Sequence, residues 1–408
     1  MKKKIWLVSI ISIILFILAI VFYFYFKNYY IYNEKYNLFN IPKNTEYAIV
    51  YSTSQGSKEK SFINYFDVNG TFISKNEFNS VLNSECINKN PNSNTYQLFT
   101  LETIYKSNSS SNIQNFDLQE LYKFASEDGN DFVYETGYLE NIGMFYKYIP
   151  HGMAYDIEEL GNFDLLIFYN EHKVYNIRIN ESGSIAADHK NSSIYNLTGD
   201  SGDYIRVEKI DFHNEKDEFE VVETNLDLSE FFLQTKIDNE SYYLGKAVVS
   251  DEKIYVFIHV DAEKNYTYLL QCNINKNDNT ITYENSYKID LKDNESMPFN
   301  ITAVAYNQNI KYYSYFCPSE IITFDKEKKE FSYSPLIQDY DINDDTLSQI
   351  RYINNRVYVL AKDIDHMTFE IYLINADNSS KLLVKGELPK IHSTSDMWVT
   401  DFYVFHEN

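Results

Sequence analysis

Hydrophobic and polar positions divide this chain into two unequal regimes. Ile5 to Phe26 runs without a charged residue, and at 1.5 Å per residue a helix of that length crosses a ~30 Å hydrocarbon core. Beyond residue 46 the apolar positions come instead in short runs, closed off by clusters of Asn, Asp, Ser and Gly. Lys253 to Ile258, Tyr266 to Cys272 and Thr280 to Tyr283 are three such runs. Their separators, Asp261 to Asn265 and Asn275 to Asn279, have the length and composition of hairpin connections, so the pattern predicts an antiparallel meander.

A repeat emerges when three segments are aligned. Ser250 to Val256, Asn307 to Tyr313 and Ile353 to Val359 each place a polar turn before a β-branched or apolar residue and then tyrosine. Each follows a further strand-like run: Ala247 to Val249, Ile301 to Tyr306 and Ser348 to Ile353. A weaker copy is read at Leu165 to Tyr169 followed by Lys173 to Ile177. Spacings near 50 residues with three or four strands per unit match a propeller blade. One four-stranded sheet cannot cover both of its faces, so neighbours must stack and a closed ring removes the end sheets. The expected fold class is therefore all-β: an N-terminal transmembrane helix followed by a β-propeller of about seven blades. Tandem β-sandwich domains are the rival architecture. Met397 to Phe405 is strand-like with no partner after it, and is expected to complete a first blade begun near Tyr47 to Tyr51. Short helices are expected at Asp117 to Ala125 and Asp227 to Gln234.

The lysines orient the first segment. Lys2, Lys3 and Lys4 precede it and only Lys27 follows closely, which keeps the N-terminus in the cytoplasm. Its exit, Val21 to Phe26, is bulky and aromatic, without the small-residue site of a cleaved signal peptide. The expected organisation is a cytoplasmic tail at 1–4, a signal anchor at 5–26, a stalk at 27–46 and an extracellular domain at 47–408. Residues 28–408 keep 32 Lys and Arg against all 59 acids, a charge of −27. Nucleic acid is thereby excluded as a partner, because a phosphate backbone demands clustered cations. An N-terminal anchor joined to blade-length repeats resembles the membrane-anchored, exported β-propeller-like proteins of Gram-positive bacteria. The glycine doublets of kelch blades and the Trp-Asp ends of WD40 blades are missing.

Candidate chemistry is sparse. Asp341, Asn343 and Asp345 alternate like the start of a calcium loop, but the sixth-place glycine and the twelfth-place glutamate are lacking, since Tyr352 stands there. They form a weak metal candidate. Gly199-Asp200-Ser201-Gly202 with His189 echoes serine proteases, although an Asp/Gly turn explains the tetrapeptide. The eight histidines form no zinc spacing. Glu158-Glu159, and Asp217-Glu218 near Glu220, are acid pairs of the kind glycoside hydrolysis uses, provided they face one another across a cleft. Cys272 and Cys317 could pair; Cys86 is odd. No catalytic or cofactor-binding residue is assigned. The expected function is a non-catalytic surface propeller that binds an envelope protein, a peptide or a wall glycan. The alternative is an exported hydrolase or lyase acting on glycans.

Overall fold

The computed structural model describes residues 39–53, 61–78, 82, 85–91, 95–100, 103–107, 112–115, 135–149, 163–170, 172–180, 184–199, 202–213, 215–237, 241–260, 266–276, 279–289, 301–314, 319–338, 346–363, 366–389 and 397–405. The expected anchor at 5–26, most of the stalk and the helix at 117–125 lie outside these. Among the described residues no helix is long and apolar enough to cross a membrane.

Among the described residues twenty-eight strands form seven four-stranded antiparallel sheets. Blade one holds β1 (Tyr47–Thr53), β2 (Ser61–Phe66) and β3 (Phe72–Phe78). Blade two is β4 (Ile87–Lys89), β5 (Tyr96–Phe99), β6 (Thr103–Lys106) and β7 (Asn112–Asn115). Blade three is β8 (Glu135–Leu139), β9 (Met144–Ile149), β10 (Phe163–Tyr169) and β11 (Val174–Asn180). Blade four is β12 (Ser184–Asp188), β13 (Ser193–Thr198), β14 (Tyr204–His213) and β15 (Glu218–Asp227), followed by the helix α1 (Ser229–Thr235). Blade five is β16 (Tyr242–Ser250), β17 (Lys253–Val260), β18 (Tyr266–Asn275) and β19 (Thr280–Ile289). Blade six is β20 (Ile301–Ala305), β21 (Asn309–Ser314), β22 (Glu320–Asp325) and β23 (Glu330–Pro335). Blade seven is β24 (Thr346–Ile353), β25 (Arg356–Asp363), β26 (Thr368–Ile374) and β27 (Ser380–Glu387). The last strand, β28 (Met397–Val404), returns to blade one and pairs with β1 from Tyr47↔Val404 to Thr53↔Met397. The chain is an all-β, seven-bladed propeller, and its ends close the ring as the sequence suggested. Separate sandwiches are excluded by that pairing.

Burial explains the hydrophobic pattern. Strands near the axis are covered on both faces: β12 is buried throughout and β25 from Val357 to Lys362. Such strands read as continuous apolar runs. The outermost strands have one wet face and alternate, as β15 and β27 do. Instead of one central core there is apolar packing at every seam. In β17, Ile254, Val256 and Ile258 face blade four while Tyr255 and Phe257 face blade six. Aromatic pairs fill these seams, with Phe257 4.4 Å from Tyr312, Phe66 4.8 Å from Phe369 and Phe99 5.2 Å from Tyr169 between ring centres. Many of the tyrosines are thus packing residues; Tyr65, Tyr146, Tyr169, Tyr242, Tyr312 and Tyr313 are among the largest fully buried side chains.

The repeat reflects real equivalence, with one correction. Ile254, Ile310 and Val357 all lie in second strands. The preceding two-residue turns, Asp251-Glu252 and Asn354-Asn355, have positive φ at both positions (52° and 63°, 50° and 62°), the geometry of a tight hairpin matched to strand twist. The weaker copy, Leu165 to Ile177, instead spans β10 and β11, the third and fourth strands of blade three. Short apolar runs around polar turns look alike wherever they fall in a blade, so pattern alone misjudged the phase.

Candidate functional site

Antiparallel order sends connections alternately to the two ends of the ring. First-to-second and third-to-fourth connections meet at one end, the turn face; they run from two residues (251–252) to six (90–95). The other connections, which include 116–134, 150–162 and 228–241, join strand ends at the opposite, loop face. By sequence the two sets of connecting segments differ in charge, although most of the loop-face set lies outside the described residues. Turn-face connections carry 10 acids and 7 lysines; loop-face connections carry 28 acids and again 7 lysines.

Lysines near the turn face serve as fasteners between blades. Lys173 and Tyr175 bind the carboxylate of Asp217 on the next blade. Lys209 Nζ donates to Asn279 at 2.9 Å, Lys311 Nζ to Asn378 at 2.5 Å, and Lys326 Nζ to Asp251 at 2.5 Å. Asp217, Asn279 and Asn378 occupy equivalent positive-φ turn positions, a conformation that short polar side chains tolerate. Of the charged turn residues, Lys173, Asp217, Asp251 and Lys326 join neighbouring blades.

Near the axis the structure brings together residues that the sequence did not single out. Arg351 on β24 directs Nη1 to both carboxylate oxygens of Asp401 on β28, each at 2.7 Å, and Nη2 to the Ile87 carbonyl at 2.9 Å. The Cys86 amide donates to Asp401 at 3.0 Å. Lys147 on β9 donates to the Glu85 carbonyl at 2.8 Å and lies 4.5 Å from the centre of the Phe99 ring. Thr136 donates to the Glu85 carboxylate, and Asn88 links the Glu85 carbonyl to the Tyr169 hydroxyl. Blades seven, one, two and three are thereby tied together. Arg351, Asp401, Lys147 and Cys86 are almost wholly buried. Burial raises the Glu85 carboxyl, against the pull of Arg351, and lowers Lys147 to about 8 despite Cys86 and Glu85. Burial opposes the charge on Arg351, but Asp401 and then Glu85 outweigh it and hold the guanidinium above its ordinary range.

This cluster is a ring fastener rather than an open acid pair. Glycoside hydrolysis would require a second carboxylate free to approach a sugar, and both oxygens of Asp401 are taken by Arg351. One signal was available: Lys147 and Asp401 each interrupt a run of apolar and aromatic residues.

The residues named from sequence are scattered. Asp341, Asn343 and Asp345 lie outside the described residues, as do Ser201, Glu158, Glu159 and Cys317; among the described residues no three His, Cys, Asp or Glu side chains gather to hold a metal. His189 precedes β13 and Gly199 follows it, so they sit at opposite ends of a strand roughly 20 Å long. His189 Nδ1 lies 3.0 Å from the Tyr138 carbonyl. Asp217 is a fastener, and Glu220 contacts His213 at 2.5 Å on the exposed outer hairpin of blade four. Cys272 is a buried free thiol whose pKa burial pushes up to about 12.

Comparison with known proteins adds similarity of shape only. No family model matches the chain, and no curated protein matches it. A crystal structure of a protein from Lactobacillus plantarum aligns with 83% of this chain and 81% of its own at 10% identity, TM-score 0.38. A chain from an S. cerevisiae assembly of Dbp5 with Nup159, Gle1, IP6 and ADP aligns with 80% of this chain and 86% of its own at 13% identity, TM-score 0.41. The fold assignment rests on the strand topology above.

Proposed function

We propose that this chain is a single-pass membrane protein, anchored by Ile5 to Phe26 with its N-terminus in the cytoplasm. In this reading it presents the propeller outside the cell as a non-catalytic binding module for another envelope protein or a peptide. What supports it is the sequence of the connecting segments: those that join strand ends at the loop face contain 28 acids and 7 lysines, those at the turn face 10 and 7. Connections free of the demands of packing are where binding residues gather, and a one-sided field steers and selects oppositely charged partners. A neutral wall glycan gives that field no purpose, and anionic lipid headgroups are repelled by it. Chemical crosslinking and pull-down from intact membranes test the reading. A stoichiometric partner is expected, lost when several loop-face acids are changed to Asn or Gln and retained when turn-face acids are changed. Protease added to intact protoplasts is expected to remove the domain beyond about Lys27. Protection of that domain, or recovery of the propeller alone under every crosslinking condition, overturns it.

A further inference from the structure

The seam between blades seven and one, where the ring closes, holds polar groups that the fasteners described above do not use. On β1 and β2 the cross-strand pairs Tyr47↔Phe66, Ile49↔Asn64 and Tyr51↔Phe62 set these six side chains on one face of the sheet. Phe66 meets Phe369 of blade seven with ring centres 4.8 Å apart, so that face looks at blade seven. Phe369 in turn pairs with Lys362 on β25. Lys362 therefore shares the opposing face with Tyr358 and Leu360, which belong to the same apolar cluster as Tyr47, Ile49 and Phe66. Asn64 and Lys362 thus flank the Phe66–Phe369 contact from the two sides of the seam.

Tyr51, Asn64 and Lys362 are 4%, 2% and 6% exposed. The Tyr51 hydroxyl and the Asn64 Nδ2 complete no hydrogen bond, although Asn64 lies near enough to ease the ionisation of Tyr51 that burial opposes. Among the described residues two other lysines are as deeply buried, and both are engaged: Lys147 donates to the Glu85 carbonyl and Lys311 to Asn378. Lys362 makes no hydrogen bond or ion pair among the described residues, and burial alone acts on its ammonium. A charge in that position is costly until an opposite charge meets it. The unused atoms are an ammonium, an amide nitrogen and a hydroxyl, all able to donate. They suit an anion and repel a cation. Ile49, Leu360, Phe66 and Phe369 around them favour one that is small and singly charged, because desolvation of a larger charge costs more.

We infer that the closing seam binds a small monovalent anion of the size of chloride, held by Lys362 with Tyr51 and Asn64 as hydrogen-bond donors, and that this anion clasps blade seven to blade one. The site is independent of the partner proposed above and adds a second fastener to the closure made by Arg351 and Asp401.

The test uses the full chain in detergent, with sodium chloride exchanged for sodium gluconate at a constant ionic strength of about 0.3 M, so that general screening is unchanged. The melting temperature is expected to be about 2–4 °C higher in chloride, as for any ligand that binds only the folded state. Lys362→Met removes the buried charge, so it should fold, melt above its parent in gluconate, and show no response to chloride. Tyr51→Phe removes one donor and should move the midpoint of the chloride response to at least about threefold higher concentration. A parent protein whose melting ignores chloride overturns the inference. A chloride response that Lys362→Met retains also overturns it, as the mark of an adventitious ion elsewhere on the protein.

Discussion

Changing Asp401 to Asn removes one charge and almost no volume at the point where the chain closes on itself. Arg351 would then keep its guanidinium in the interior without its hydrogen-bonded carboxylate, and the new amide nitrogen would have to face either Arg351 or the Cys86 amide, both donors. Removing one partner of a buried ion pair typically costs about 3–5 kcal/mol. Against the ~5–15 kcal/mol that holds a folded domain together, that is about a fifth of the stability or more. The loss falls on β28, so unfolding should begin by release of this strand from β1. Trp398 lies in β28, and the other tryptophan, Trp6, lies in the 5–26 stretch, so a change in tryptophan fluorescence during denaturant unfolding reports the event. The double change Arg351→Met with Asp401→Leu removes both charges, fills similar space, and should recover most of the loss. If Asp401→Asn costs under about 1 kcal/mol, or the double variant is worse than the single, the cluster does not close the ring and the argument fails.

Three further outcomes follow from the same geometry. Lys362 is buried on β25, and burial alone lowers it to about 8. Between that value and the 10.5 of the unfolded chain, the unfolded state binds more protons, so this lysine makes stability rise with pH above about 8, until the buried thiols and tyrosines, shifted upward, reverse the trend. Lys362→Met should therefore flatten the stability curve from pH 8 to 9 and add about 2 kcal/mol at pH 7; an unchanged slope refutes the assignment. Gly70 has φ +76°, and a Cβ there would lie 2.6 Å from the Lys385 carbonyl of blade seven, so Gly70→Ala should cost about 1–3 kcal/mol by urea titration. Deleting Met397 to Asn408 takes away the inner strand of blade one with buried Phe402, Tyr403, Val404 and Phe405, and should give insoluble chain or the loss of a cooperative transition. A truncated protein that melts within a degree or two of its parent would mean that β28 is dispensable.

The sequence alone determined the class of fold and its closure. Period-two runs, Asn- and Asp-rich turns and a spacing near 50 residues are local properties, each set by whether a strand has one wet face or none, and they led to seven blades and to the pairing of residues 397–405 with 47–51. The helix expected at Asp227 to Gln234 also formed, shifted to Ser229–Thr235. Tertiary structure decided what each charge does. Asp401 looked like the polar middle of a strand, yet it meets Arg351 fifty residues earlier and Cys86 on the far side of the ring closure. Lys147 likewise reaches Glu85 across two blades. Which connecting segments share an end is also invisible along the chain, because it is set only when antiparallel strands send successive connections to opposite ends. Local patterning fixes which residues are buried; only closure of the ring fixes which buried and which exposed groups become neighbours.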